Sequence, residues 1–96
     1  MQEFVAVVDE DVAAILSDIV EELAVARGKF PGRRLMTIAL VEEVGELAKA
    51  TLDETSAAVR REAVQTAVMA IRCALDGDES ADGYRAAKGL SAVGTI

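Results

Sequence analysis

Glu42-Glu43-Val44-Gly45-Glu46 holds the densest chemistry in the chain. At about 100° per residue, Glu42 and Glu46 lie about 40° apart on a helix and Glu43 and Glu46 about 60° apart, so three carboxylates share one side. Like charges at these spacings cost roughly a few tenths of a kcal/mol per pair. Glu62 and Gln65 repeat the i, i+3 spacing further on. If the two segments fold back as a helical hairpin, Glu43, Glu46, Glu62 and the Gln65 carbonyl converge on a small volume. Four oxygen ligands without nitrogen or sulfur suit a hard cation, Mg²⁺ or Mn²⁺. Without a cation, so many carboxylates must protonate or swing apart. A solvated acidic face has the same spacing, and that reading stands beside the first. Gly45 is also two-sided. A helix-interior glycine costs about 1 kcal/mol against alanine, which either a close-approaching neighbour or a tolerated surface position accounts for.

The elements that must position these residues are helical. Val12, Ile15, Leu16, Ile19, Leu23 and Ala26 follow the i, i+3, i+4, i+7 stripe of a buried helix face. Phe4 and Val8 extend it backwards, so residues 1–27 read as a first helix beginning near Glu3. The run Phe4 to Val8 read as a strand is the alternative, and no partner strand is visible elsewhere. Arg27-Gly28 supplies a stop, with a cation at the negative end of the helix dipole and glycine after it. Pro31-Gly32 suits a turn. Residues 33–52 read as the motif helix, with Ile38, Val41, Val44, Ala48 and Leu52 as its apolar face, widened by Leu40 and Leu47. Ser56 is a fair N-cap for a third helix over residues 57–76, whose stripe is Val64, Val68, Ile71 and Leu75. Gly77 ends it, and residues 77–96 read as a polar loop, a short helix near Tyr84 to Leu90, and a tail.

Composition bounds the rest. The 96 residues make a single domain. They are 52% hydrophobic and only 3% aromatic. That much aliphatic surface on a short chain exceeds what one small core hides, which points to a subunit interface. Ten Lys+Arg against 17 Asp+Glu give a net charge of −7, the wrong sign for gripping a nucleic-acid backbone. With no histidine, Ser-His-Asp and Cys-His catalysis and His-ligated zinc are excluded. Cys73 has no partner for an intrachain disulfide, which fits a cytoplasmic location. It reads as a small buried hydrophobe. No apolar run approaches the roughly 20 residues of a membrane span, and no signal-like segment opens the chain.

Glu42-Glu43-x-x-Glu46, a gap of 15 residues, then Glu62-x-x-Gln65 resembles the MazG-type all-α nucleoside triphosphate pyrophosphohydrolases. That family's pattern is Glu-Glu-x-x-Glu followed by Glu-x-x-Asp. The phrases Glu42 to Ala50, Arg61 to Gln65 and Gly28-Lys29-Phe30-Pro31 are similar to short single-domain members, so the resemblance spans about half the chain, Gly28 to Gly77. It implies an all-α core of three main antiparallel helices, completed into a bundle by a dimer or dimer of dimers. It also implies Mg²⁺-dependent hydrolysis of a nucleoside triphosphate to monophosphate and pyrophosphate. The metal-binding carboxylates of the family fall on Glu43, Glu46 and Glu62, with Gln65 where the family has Asp. A neutral amide is a weaker Mg²⁺ ligand than a carboxylate and is no base. With histidine absent, Glu42 or Glu43 is the natural general base.

A triphosphate also needs basic clamps. Lys49 stands i+3 from Glu46, and Arg72 two turns beyond Gln65. Lys29, with Arg33 and Arg34, forms a basic cluster before the motif helix. Each has a plainer reading: an i, i+3 ion pair for Lys49, a salt bridge for Arg72, solvated loop charge for Lys29. Phe30 reads as a core plug where the loop enters the bundle, with stacking on a nucleobase as the alternative. A rival to the enzyme is a catalytically weak, oligomeric, nucleotide-binding helical protein. Gln65 favours the rival and the four glutamates favour the enzyme.

Overall fold

The computed structural model describes residues 9–92. Over these the chain is helical, with no strand: α1 Glu10–Lys29, α2 Met36–Asp53, α3 Ser56–Leu75, a one-turn 3₁₀ helix Glu79–Ala81, and α4 Asp82–Ala87. The expected start near Glu3 and the strand alternative at Phe4 to Val8 lie outside the described residues. The described helix begins at Glu10, because Asp9 is extended and its carboxylate accepts the Val12 N–H at 2.8 Å. No helix among the described residues is long and apolar enough to cross a membrane.

Each helix end has a local cause. Gly28 does not stop α1; the helix runs to Lys29 and breaks where Phe30 precedes Pro31, a position from which helical geometry is excluded by the proline ring. α2 starts at Met36 rather than Arg33, since Leu35 is held in the left-handed region at φ 58°. Thr55, not Ser56, caps α3, its hydroxyl accepting the Ala58 N–H at 3.1 Å. Gly77 follows α3 at φ 75°, the left-handed closure glycine permits. The final helix comes two residues earlier than Tyr84.

α3 is the central element. α2 folds back onto one side of it through the two residues Glu54 and Thr55, and α1 packs on another side. The cross-helix pairs Asp18–Arg60, Glu22–Gln65 and Arg27–Asp76 ascend together along α1 and α3, so these two run parallel. α1 and α2 make no packing contact with each other. Among the described residues few are buried: Met36, Ala50, Ala58, Val64, Val68 and Gly77, with Arg72 among them at 3% exposure.

The α2 face turned to α3 is not the one expected. Met36, Leu40, Glu43, Leu47 and Ala50 fall within about 80° of one another at helical pitch, and with Ala39 they are the buried or half-buried positions of α2. Ile38, Val41, Val44, Ala48 and Leu52 stand on the opposite side and are exposed, Val41 at 62% and Leu52 at 80%. Val12, Ile15 and Leu16 in the first turns of α1 are exposed as well, and Leu75 is 51% exposed. Gly45 lies on the exposed side of α2, where an added Cβ meets nothing within 4 Å.

Candidate functional site

Glu43 belongs to the α3-facing stripe, and the hairpin sets its carboxyl against Glu62, which is itself only 19% exposed. Burial pushes the Glu43 carboxyl above its ordinary value. Charge repulsion from Glu62, a hydrogen bond donated to Glu62, and repulsion from Glu46 and Glu42 push it the same way. Glu43 and Glu62 thus face each other across the hairpin, and Glu46 and Glu42 add negative potential from the exposed flank of α2. Arg61 contributes a loose pairing, its Nε 3.7 Å from a Glu62 oxygen.

Oxygen-only donors of this kind fit a hard cation in chemistry, and the repulsion between Glu43 and Glu62 marks the position where positive charge is most wanted. As the side chains stand, no three acidic, His or Cys residues among the described residues are grouped closely enough to hold a metal ion. Glu43 and Glu62 meet; Glu46 and Glu42 stand exposed on the flank of α2.

Gln65 is not with them. Its Nε2 donates to Glu22 on α1 at 3.3 Å. Glu62 and Gln65 differ by about 60° around α3, enough to send one toward α2 and the other toward α1. The expected fourth ligand is thus turned into a different part of the molecule. That part is a cleft of about 600 Å³ between α1 and α3, lined by carboxylates of α1, guanidinium groups of α3 and an apolar floor. Glu22 and its neighbours on α1 lie outside the motif, and their helical spacing alone carries no signal of this cleft.

The basic residues divide. Arg72 is no surface clamp. Its NH2 donates to the Phe30 carbonyl at 2.5 Å and the Gly32 carbonyl at 3.3 Å, and its Nε to Asp76 at 3.4 Å. Asp76 also pairs with Arg27 at 2.6 Å. Buried at 3% exposure, Arg72 ties the α1–α2 loop to the end of α3. The salt-bridge reading describes it better than the phosphate reading. Lys49 is exposed and forms no ion pair among the described residues, so the expected pairing with Glu46 is not made. Lys29 is exposed in the last turn of α1. Arg33 donates to the Asp76 carbonyl. Phe30 is 66% exposed rather than a core plug.

Comparisons with protein-family models, with curated proteins and with solved structures find no match. The MazG-type resemblance therefore rests on the motif residues themselves.

Proposed function

We propose that this chain is a Mg²⁺-dependent nucleoside triphosphate pyrophosphohydrolase of the MazG type, acting in the cytoplasm as a dimer or tetramer. The observation that carries the reading is the meeting of Glu43 and Glu62 across the α2–α3 hairpin, with Glu42 and Glu46 on the same flank. A scaffold gains nothing from repelling carboxyls at a half-buried contact; a site for cation and phosphate requires them. Glu43, Glu46 and Glu62 would hold the ion. When bound, Mg²⁺ offsets the charge of the triphosphate and polarises the phosphorus to be attacked. Glu42, exposed at the rim, would accept a proton from the attacking water. Glu43, half-buried against Glu62, would serve as a ligand. Lys49, one turn from Glu46 and unpaired, is the better candidate for the departing pyrophosphate; Lys29 adjoins the Phe30 carbonyl that Arg72 binds, ten residues along α3 from Glu62.

A second reading is favoured by Gln65 and Arg72: a nucleotide-binding helical protein of weak activity. The fourth ligand position is neutral and faces α1, and one expected clamp is a buried strut. Incubating the protein with each common ribo- and deoxyribonucleoside triphosphate and Mg²⁺, and measuring pyrophosphate, separates the two. Release that disappears on chelation supports the enzyme. Nucleotide binding without release from any substrate supports the second reading.

A further inference from the structure

The α1–α3 cleft lies outside the carboxylate site and adjoins it. Arg61 lines the cleft and pairs loosely with Glu62, and Gln65 lines it one turn along α3 from Glu62. A ligand in the cleft therefore has one end beside the carboxylates of the hairpin. Its volume of about 600 Å³ falls in the range of small-molecule sites and admits a nucleoside. Val25, Ala57 and Val64 offer apolar surface to the face of a flat ring, while Glu22 and Gln65 present a polar edge.

That edge has a definite code. At neutral pH a carboxylate only accepts, through two oxygens, and the Gln65 Nε2 beside it donates. Side by side they form a row of acceptor, acceptor, donor. Guanine offers the complement along one edge: the N2 amino group, N1–H and the O6 carbonyl. Adenine, cytosine and uracil each bring a single donor group to that edge and leave one Glu22 oxygen unpaired. Asp18 is already neutralised by Arg60 at 2.6 Å, so it does not compete for the ligand.

We infer that the α1–α3 cleft is a nucleoside pocket in which Glu22 and Gln65 read the guanine edge, with the phosphates extending toward Glu62. This rests on the nucleotide reading above and adds to it the base selected and the work of Gln65, the residue standing where a metal ligand was expected.

The test is equilibrium binding by calorimetry, without metal, of guanosine, inosine and uridine monophosphates. Inosine lacks only the N2 amino group. Guanosine monophosphate should bind about tenfold more tightly than inosine monophosphate, the scale of one hydrogen bond to a charged group. Glu22→Gln should bring the two within about twofold. Gln65→Glu, which replaces the donor opposite O6 by an acceptor, should weaken guanosine and inosine monophosphates alike. Both side chains are surface-lining, and circular dichroism melts confirm that the variants fold. Equal binding of all three nucleotides, no binding of guanosine monophosphate, or a preference that survives Glu22→Gln would overturn the inference. Pyrophosphate release is scored separately. Hydrolysis without base preference defeats only the pocket, and guanine preference without hydrolysis defeats only the catalytic reading.

Discussion

Packing of the hairpin places Glu43 in line with Leu40 and Leu47 on the α3-facing side of α2, where it is half-buried and Glu62, Glu46 and Glu42 add repulsion. Its folded-state pKa lies above the ordinary value of 4.5. The protonated form is thus the one the fold favours. The stabilisation is complete below about pH 4.5 and is lost as pH rises through the raised value. Glu43→Gln keeps a neutral side chain at every pH. It should match the wild type near pH 4 and exceed it at pH 7 by about 2–4 °C in melting temperature, the scale of one or two relieved like-charge pairs in a domain of this size. A Glu43→Gln variant that gains nothing on the wild type between pH 4 and pH 7 would contradict the arrangement. Glu62→Gln removes the other half of the pair. It should lower pyrophosphate release by about 100-fold or more while the metal-free fold stays at least as stable. Retained turnover would return Glu62 to a merely solvated role.

At the scale of elements, two buried or half-buried polar residues organise the end of the molecule where α1, α2 and α3 are joined. α2 has no cap of its own at Leu35, and Asp78 provides one from the loop after α3. One Asp78 oxygen accepts the Thr37 N–H at 2.9 Å and the other the Ser80 N–H at 3.0 Å. These bonds favour the ionised form, and the one from Thr37 most strongly holds the Asp78 carboxyl below its ordinary value of 3.8. The contribution is therefore present above that value and fades as pH falls through the lowered one. Asp78→Ala should cost about 1 kcal/mol at pH 7 in a denaturant titration, and the gap should narrow below pH 4. Arg72 acts at the same junction. Arg72→Ala leaves Asp76 and two loop carbonyls without their donor, and should cost about 3 kcal/mol. Arg72→Lys should recover little of this, because one ammonium cannot span three acceptors that a planar guanidinium reaches. A phosphate clamp would behave in the opposite way, losing substrate affinity with the fold intact.

Viewed whole, the single chain is open. Its radius of gyration is 15.5 Å, against about 12 Å for a compact chain of the described length. Its extents are 44 × 38 × 24 Å. The surplus of aliphatic residues read in the composition is visible as the uncovered face of α2, across the helix from Glu43. Burying a valine or leucine fully is worth about 1.5–3 kcal/mol, so covering Ile38, Val41, Val44 and Leu52 is a substantial driving force. Light scattering should give a dimer or tetramer of the 10.1 kDa chain at micromolar concentration. Val41→Asp should shift it to the monomer with an unchanged helical circular dichroism spectrum, since Val41 is 62% exposed within the chain. A wild-type monomer would rule out self-association through this face.

The helices themselves were legible in the residues. The 3.6-residue stripes, the scarcity of glycine and proline, and the polar break around Glu54 and Thr55 are local properties, and local hydrogen bonding decides helix existence. So was the meeting of the two motifs, because a two-residue connection leaves α3 little choice but to return along α2. Which face of α2 would turn inward was not legible. That helix carries two apolar stripes, and periodicity finds both without ranking them. The choice fell to the stripe with small Ala50 and flexible Met36, which let α3 approach, and it carried Glu43 inward with them. Gln65 was misjudged for a related reason. Spacing places it near Glu62, but a 60° difference matters only once α1 occupies the next face of α3. Arg72 looked like an exposed cation because nothing local reveals that the carbonyls of Phe30 and Gly32, some forty residues away, need a donor. Local periodicity is written in neighbouring residues; the ranking of faces depends on what packs against them, and that exists only in the folded chain.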